Sequence, residues 1–130
     1  MSLIRNSNQV KQAIDFSGIQ NGRIHPSDID AVLEFDNEAL ILIEVKREGN
    51  TIPTGQRLLL ERLCNAWRTE KSIVLFVTHS FTDDKKDIPL KECCVSEAYY
   101  DMKWHKVHTE LLGSVLNKIG LRWNIKKLSI

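Results

Sequence analysis

What most restricts the fold of this chain is a pair of neighbouring segments, His25-Pro26-Ser27-Asp28-Ile29-Asp30-Ala31-Val32 and Leu40-Ile41-Leu42-Ile43-Glu44-Val45-Lys46, joined by Leu33-Glu34-Phe35-Asp36-Asn37-Glu38-Ala39, so that two short apolar-rich runs are separated by the polar Asp36-Asn37-Glu38. Two such runs around a short polar connection read as an antiparallel β-hairpin with a three-residue loop. If Phe35 faces Ala39, opposed positions sum to 74, so Leu33 meets Ile41, Ala31 meets Ile43, Asp30 meets Glu44 and Asp28 meets Lys46. Side chains alternate between the two faces of a strand. One face then carries Ala31, Leu33, Phe35, Ile41, Ile43 and Val45 as a core face. The other gathers Asp28, Asp30, Glu44 and Lys46 at the end away from the loop. A slip of one residue would scramble both sets.

Opposed like charges on neighbouring strands are destabilising, so an Asp30/Glu44 pair costs stability unless something binds between the carboxylates. A divalent cation is the natural candidate. Clustered carboxylate oxygens suit a hard ion such as Mg²⁺, which keeps several waters and is completed by phosphate oxygens of a substrate. Lys46 lies two residues beyond Glu44 and on its face. There it can hold or activate an attacking water and offset negative charge building on phosphorus.

The spacing Asp30, thirteen residues, then Glu44-Val45-Lys46 resembles the PD-(D/E)XK nuclease superfamily, which includes restriction endonucleases, archaeal Holliday-junction resolvases, lambda exonuclease and small phage nucleases. The resemblance implies a restriction-endonuclease-like α-β-β-β-α-β core, an α/β fold with a mixed central sheet flanked by helices. It implies that Asp30 and Glu44 hold Mg²⁺ or Mn²⁺ and that Lys46 assists hydrolysis. The usual Pro-Asp pair is split here, because Ser27 separates Pro26 from Asp28. The choice between Asp28 and Asp30 as metal ligand therefore stays open, with Asp30 favoured by its place opposite Glu44. The Glu often supplied by a first helix has no counterpart, since no Glu precedes Glu34; Asp15, Gln9 and Gln12 are the candidates to replace it. Further wording, Ala13-Ile14-Asp15-Phe16-Ser17-Gly18 and Gly55-Gln56-Arg57-Leu58, is similar to small phage and prophage members of the superfamily over roughly residues 8–80.

Residues Gly55 to Arg68 repeat apolar side chains at Leu59, Leu60, Leu63, Cys64 and Trp67, the spacing of an amphipathic helix. Gln56 heads that stripe, and a polar amide there needs a partner. In the resemblance, a Gln at this place positions the lysine or the DNA backbone. Arg57 and Arg62 project elsewhere, toward phosphates or toward solvent. Against these readings, a lone Glu-x-Lys on a strand is usually a surface charge pair, and Asp28 after Ser27 can serve merely to shape a turn. The conjunction of apolar strand, opposed acid and correctly spaced Gln favours chemistry.

With 130 residues, 42% of them hydrophobic, the chain is long enough for one domain with a real core. No apolar run is long enough to span a membrane, and the three cysteines (Cys64, Cys93, Cys94) lack a metal-ligand spacing, which points to a cytosolic protein with reduced thiols. A net charge of +1 is low for a nucleic-acid enzyme. Residues 1–60 hold six Lys/Arg against eight Asp/Glu, and residues 61–130 twelve against nine, so the halves carry −2 and +3.

Elsewhere the sequence reads as scaffold. The pattern predicts a helix capped by Ser7 and running through Phe16, with Val10, Ala13 and Ile14 on its inward face. Ser72 to Thr78 is a continuous β-rich run suited to a central buried strand. Asp83-Asp84-Lys85-Lys86-Asp87 reads as a solvated loop. Cys93–Tyr100 reads as a strand, and Trp104 and Val107 lead to a helix around Thr109–Ile119, stopped by Gly120. His105 and His108 fall at that junction without a third ligand, which argues against zinc. In the basic Arg122-Trp123-Asn124-Ile125-Lys126-Lys127 tail, Trp123 is expected to pack on the core rather than track phosphates. The reading that follows is a metal-dependent nuclease acting on DNA, with Asp30, Glu44, Lys46 and Gln56 as its machinery and Asp28 as a further metal ligand. A homodimer and a phage or host protein partner stay open. The alternatives are a degenerate nuclease-fold module that binds nucleic acid or protein, and an unrelated α/β interaction protein.

Overall fold

The structure, a computed structural model, describes residues 15, 17–19, 26–82 and 86–129. The helix expected from Ser7 to Phe16, with Gln9 and Gln12, lies outside them except for Asp15, and so do Asp83, Asp84 and Lys85. Asp15 is exposed and accepts the Ser17 N–H at 2.9 Å.

Strands β1 (Ala31–Phe35) and β2 (Ala39–Arg47) form the expected antiparallel hairpin, in register from Ala31↔Ile43 through Leu33↔Ile41 to Phe35↔Ala39. The loop is closed by the Glu38 N–H donating to the Phe35 carbonyl at 2.8 Å, with Asp36 and Asn37 in the left-handed region at φ 49° and 65°. Asp and Asn tolerate that conformation better than other side chains. The ladder stops at Ala31, so the pairing does not continue to Asp30↔Glu44 and Asp28↔Lys46 as the expected register would have it.

Helix α1 (Thr54–Asn65) then carries the chain across the sheet to β3 (Ser72–His79), which pairs with β2 in parallel, from Leu40↔Ser72 to Arg47↔His79. A parallel pair requires such a crossover. Strands β4 (Cys94–Tyr100) and β5 (Lys103–Leu111) follow antiparallel, and helix α2 (Leu112–Trp123) closes the described fold. The result is an α/β architecture: one five-stranded mixed sheet in the order β1-β2-β3-β4-β5 with a helix on each face. Two strands precede the crossover helix among the described residues, giving β-β-α-β-β-β-α. No helix among them is long and apolar enough to cross a membrane.

Each face has its own core. Ile41, Ile43, Leu75, Val77 and Val95 pack with Leu112 and Leu116 of α2, and Ala31, Leu33, Phe35 and Val45 join them as the hairpin pattern requires. Leu42, Val74, Phe76 and Tyr99 pack with Leu60 and Cys64 of α1. The second face of the hairpin is mixed: Glu34 lies opposite Leu40 near the loop, Leu42 is buried under α1, and the charged Glu44 and Lys46 follow toward the far end. On α1 the stripe narrows to Leu60 and Cys64, while Leu63 is 39% exposed, and the helix ends before Trp67. Burial pushes the Cys64 and Cys93 thiols above their ordinary range, and no disulfide forms among the described cysteines.

Two expectations at the C-terminal end need correction. The segment after Tyr100 is not a lead-in to a helix but β5, joined to β4 by a two-residue turn in which Asp101 and Met102 both have positive φ, 51° and 66°. His105 and His108 lie on that strand, and His105 stacks on Tyr100 with ring centroids 3.9 Å apart. Helix α2 runs through Gly120 and ends at Asn124, whose left-handed φ of 57° lets the Ile125 N–H reach the Gly120 carbonyl at 2.8 Å. Gly120 instead allows close approach, because a Cβ there would lie 2.5 Å from the Leu128 carbonyl oxygen. Trp123 packs against the α2-side core, as expected.

Gly120→Ala should therefore lower stability by roughly 1–3 kcal/mol, the cost of overpacking. Met102→Gly should raise it by a few tenths to about 1 kcal/mol by relieving a left-handed residue. Urea titrations of both variants beside the wild type would check the opposite signs.

Candidate active site

Strand β2 carries two of the candidate residues, Glu44 and Lys46, where its last pleats emerge from the core. Going outward on the α1 side, Leu42 is buried, Glu44 is 1% exposed, and Lys46 is half-buried at the rim. Across the parallel ladder, Glu44 neighbours the buried Phe76, and Lys46 neighbours Thr78. The Glu44 carboxylate thus lies in an apolar setting, with two contacts of opposite sign.

Lys46 Nζ approaches Glu44 Oε1 at 3.4 Å. Glu44 Oε2 is buried and has no hydrogen-bond partner among the described residues. Burial, and after it the charge of Asp30, push the Glu44 carboxyl above its usual range, while Lys46 pulls the other way. An unsatisfied buried carboxylate oxygen costs stability, and such groups concentrate where chemistry needs them.

Asp30 reaches this place by a route the hairpin register did not foresee. Having left the ladder, it accepts the Val45 backbone N–H on Oδ2 at 2.7 Å. Its carboxylate takes the position of a ladder carbonyl, so Asp30 is tied to β2 beside Glu44 although it is not paired opposite it. Gln56, in the first turn of α1, donates from Nε2 to the Asp28 carbonyl at 3.1 Å. The amide at the head of the helix stripe thus has its partner, and that partner anchors the segment leading into Asp30.

The structure brings Asp30, Glu44 and Lys46 together, with Gln56 one step behind them. Asp28 contributes its main-chain carbonyl to Gln56, its side chain is exposed, and no cluster of three or more His, Cys, Asp or Glu residues forms a metal site among the described residues. Two carboxylates with one orphaned oxygen still fit a hard cation that keeps most of its own waters. Lys46 is at present the only positive charge in contact with Glu44 among the described residues.

Arg57 is partly buried and its guanidinium is already engaged. Its guanidinium lies 4.3 Å from the centre of the Trp104 ring and 3.4 Å from Glu97, while Trp104 Nε1 donates to Glu61 at 2.9 Å. This cluster locks α1 onto β4 and β5. Nothing in the local sequence announces it, because its two links between helix and strands, Arg57 to Glu97 and Trp104 to Glu61, span 40 and 43 residues.

Glu44 also gives the site a pH signature. A carboxyl whose folded pKa is raised binds its proton more tightly in the native state, so the penalty is absent below the unfolded value near 4.5 and grows as pH rises through the folded one. In chelator, Glu44→Gln should therefore be more stable than wild type by about 1–3 kcal/mol at neutral pH, with the difference shrinking toward about pH 4. Denaturant melts of both proteins across that range measure it; a gap that does not depend on pH would contradict the assignment. Compared with protein-family models, curated proteins and solved structures, the chain finds no match.

Proposed function

We propose that this protein is a metal-dependent nuclease that hydrolyses phosphodiester bonds, DNA first, on a restriction-endonuclease-like version of the α/β fold. The observation that carries the reading is the buried Glu44 carboxylate, with one oxygen unpartnered, held beside Asp30 and next to Lys46 at the open end of β2. A structural role does not account for an acid placed where burial and a like charge both oppose its ionisation.

Asp30 and Glu44 would hold Mg²⁺ or Mn²⁺. Such an ion supplies Lewis-acid polarisation of a phosphate oxygen and a more acidic bound water. The Lys46 ammonium, half-exposed at the rim, orients the attacking water and meets the charge that grows on the phosphate oxygens. The Val45 N–H fixes the Asp30 carboxylate, so its aim does not depend on a flexible rotamer. Gln56 is a positioning residue: through the Asp28 carbonyl it holds the segment that delivers Asp30, rather than touching Lys46.

A second reading, a nuclease-like module that binds nucleic acid or a protein partner without cutting, draws on two facts. Only two carboxylates meet at the site among the described residues, and the net charge is +1. The two readings separate at Lys46. Incubated with labelled duplex, single-stranded and branched DNA in Mn²⁺, with chelator as control, the wild type should cleave and Lys46→Ala should be slower by roughly 10²–10³. Mn²⁺ should also raise the melting temperature of the wild type and of Lys46→Ala but not of Glu44→Gln, since a ligand stabilises only the state that binds it. Equal cleavage by wild type and Lys46→Ala would leave the binding module as the better account.

A further inference from the structure

Under α1 the last buried level of the sheet is Glu44 beside Phe76, and one pleat further along β2 and β3 stand Lys46 and Thr78. Ladder partners share a face, so that level can be followed across the sheet: Lys46 pairs with Thr78, Thr78 with Cys94, and Cys94 with Leu111. Neighbours within each strand fix which face this is. Val77, Cys93 and Val95 belong to the core under α2, so Thr78 and Cys94, adjacent to them in their strands, point to the face of Glu44 and Lys46. Glu110 meets Lys118 of α2 at 2.7 Å, which leaves Leu111 on the same side as Cys94. None of the four is buried: the Lys46 side chain is 27% exposed, Leu111 is 52% exposed, and Thr78 and Cys94 are half-buried. At about 4.8 Å per strand, the row runs roughly 14 Å from Lys46 to Leu111.

The chemistry of this row is narrow. The Thr78 hydroxyl makes no hydrogen bond to a described residue, and it stands one strand away from Lys46, on the same face. The row holds no carboxylate to repel a phosphate, and none of the Asn, Gln or Arg side chains that read base edges with paired hydrogen bonds. A threonine hydroxyl that donates to a phosphate oxygen sets the register of a nucleic acid and carries no sequence information. We propose that Lys46, Thr78, Cys94 and Leu111 form the track of the sugar–phosphate backbone of the strand that is cut, with the Thr78 hydroxyl donating to the phosphate whose charge Lys46 meets. This rests on the nuclease reading of the Asp30, Glu44 and Lys46 site, and it makes recognition there a recognition of backbone, indifferent to base sequence.

Two measurements on the full chain test it. In Mn²⁺, with DNA of two unrelated sequences, Thr78→Val keeps the branched shape and loses the hydroxyl. It should lower kcat/KM by roughly 10-fold or more on both sequences, the scale of one hydrogen bond to a charged oxygen, and Thr78→Ser should restore most of the loss. The second measurement uses Cys94 as a probe, since it is the one cysteine of the three that is not buried. In Lys46→Ala with Mn²⁺, where cutting is slow, bound DNA should slow alkylation of Cys94 by iodoacetamide, located by peptide mass. Thr78→Val that cuts like wild type, a loss that Thr78→Ser does not restore, a loss confined to one sequence, or Cys94 that reacts equally with and without DNA each overturns the track. Should Thr78→Val fold poorly, protection of Cys94 decides alone. If wild type cuts DNA while the track fails, the nuclease reading stands. If nothing is cut but DNA protects Cys94 and Thr78→Val weakens that protection, the track stands as a binding surface and the nuclease reading fails. If DNA is neither cut nor bound, both fail together.

Discussion

Strand β2 is enclosed on both faces, and this double burial is the constraint from which the remaining architecture follows. Ile41 and Ile43 belong to the core under α2, and Leu42 belongs to the core under α1. A strand in that position needs a partner on each edge and a cover on each face. The β1 hairpin supplies one edge, the parallel β3 the other, and the crossover between β2 and β3 places α1 on its face. Register is then determined twice over, because a slip of one residue would exchange the two cores and drive Glu44 into the tightly packed α2 side.

The same burial explains why the end of β2 is chemically unusual. Glu44 belongs by alternation to the face that contains Leu42, so the pattern that packs the core also draws a carboxylate to the edge of it. The fold balances this only in part. Lys46 meets one oxygen, and the other stays without a partner. Rigidity is obtained by a different means: two polar links, Asp30 to the Val45 N–H and Gln56 to the Asp28 carbonyl, fasten the chain entering β1 to β2 and to α1. These links replace ladder hydrogen bonds where β1 has already left the sheet.

Much of this was legible in the sequence wherever a two-residue period met strong turn residues. The hairpin register, the apolar face from Ala31 to Val45 and the central strand from Ser72 follow from alternation, apolar continuity and Asp36-Asn37. The approach of Asp30 to Glu44 was foreseen, but by ladder pairing rather than by a side chain capping a backbone N–H; no pattern in the sequence distinguishes a strand end that frays from one that continues. Strand β5 was missed for a related reason. It is an edge strand with few apolar positions, and its turn uses Asp101-Met102 where Asn-Gly would have signalled the conformation. Gly120 misled because glycine ends helices and also permits close contact, and only the position of Leu128 tells the two apart. The Arg57, Trp104 and Glu97 cluster joins segments remote in sequence, so nothing local could reveal it.

The place of β5 in the sheet has a bearing on how the molecule behaves in crowded solution. Its outer edge is open among the described residues, and an open edge invites strand addition by a neighbouring chain. Here the edge is interrupted where the β4 and β5 ladder shifts register between Val95 and Glu97, and the exposed Lys103 and Lys106 stand along it. The register shift and the two exposed lysines both raise the cost of adding a neighbouring strand there. The polar composition that hid this strand from sequence inspection thus also makes its edge a poorer template for strand addition.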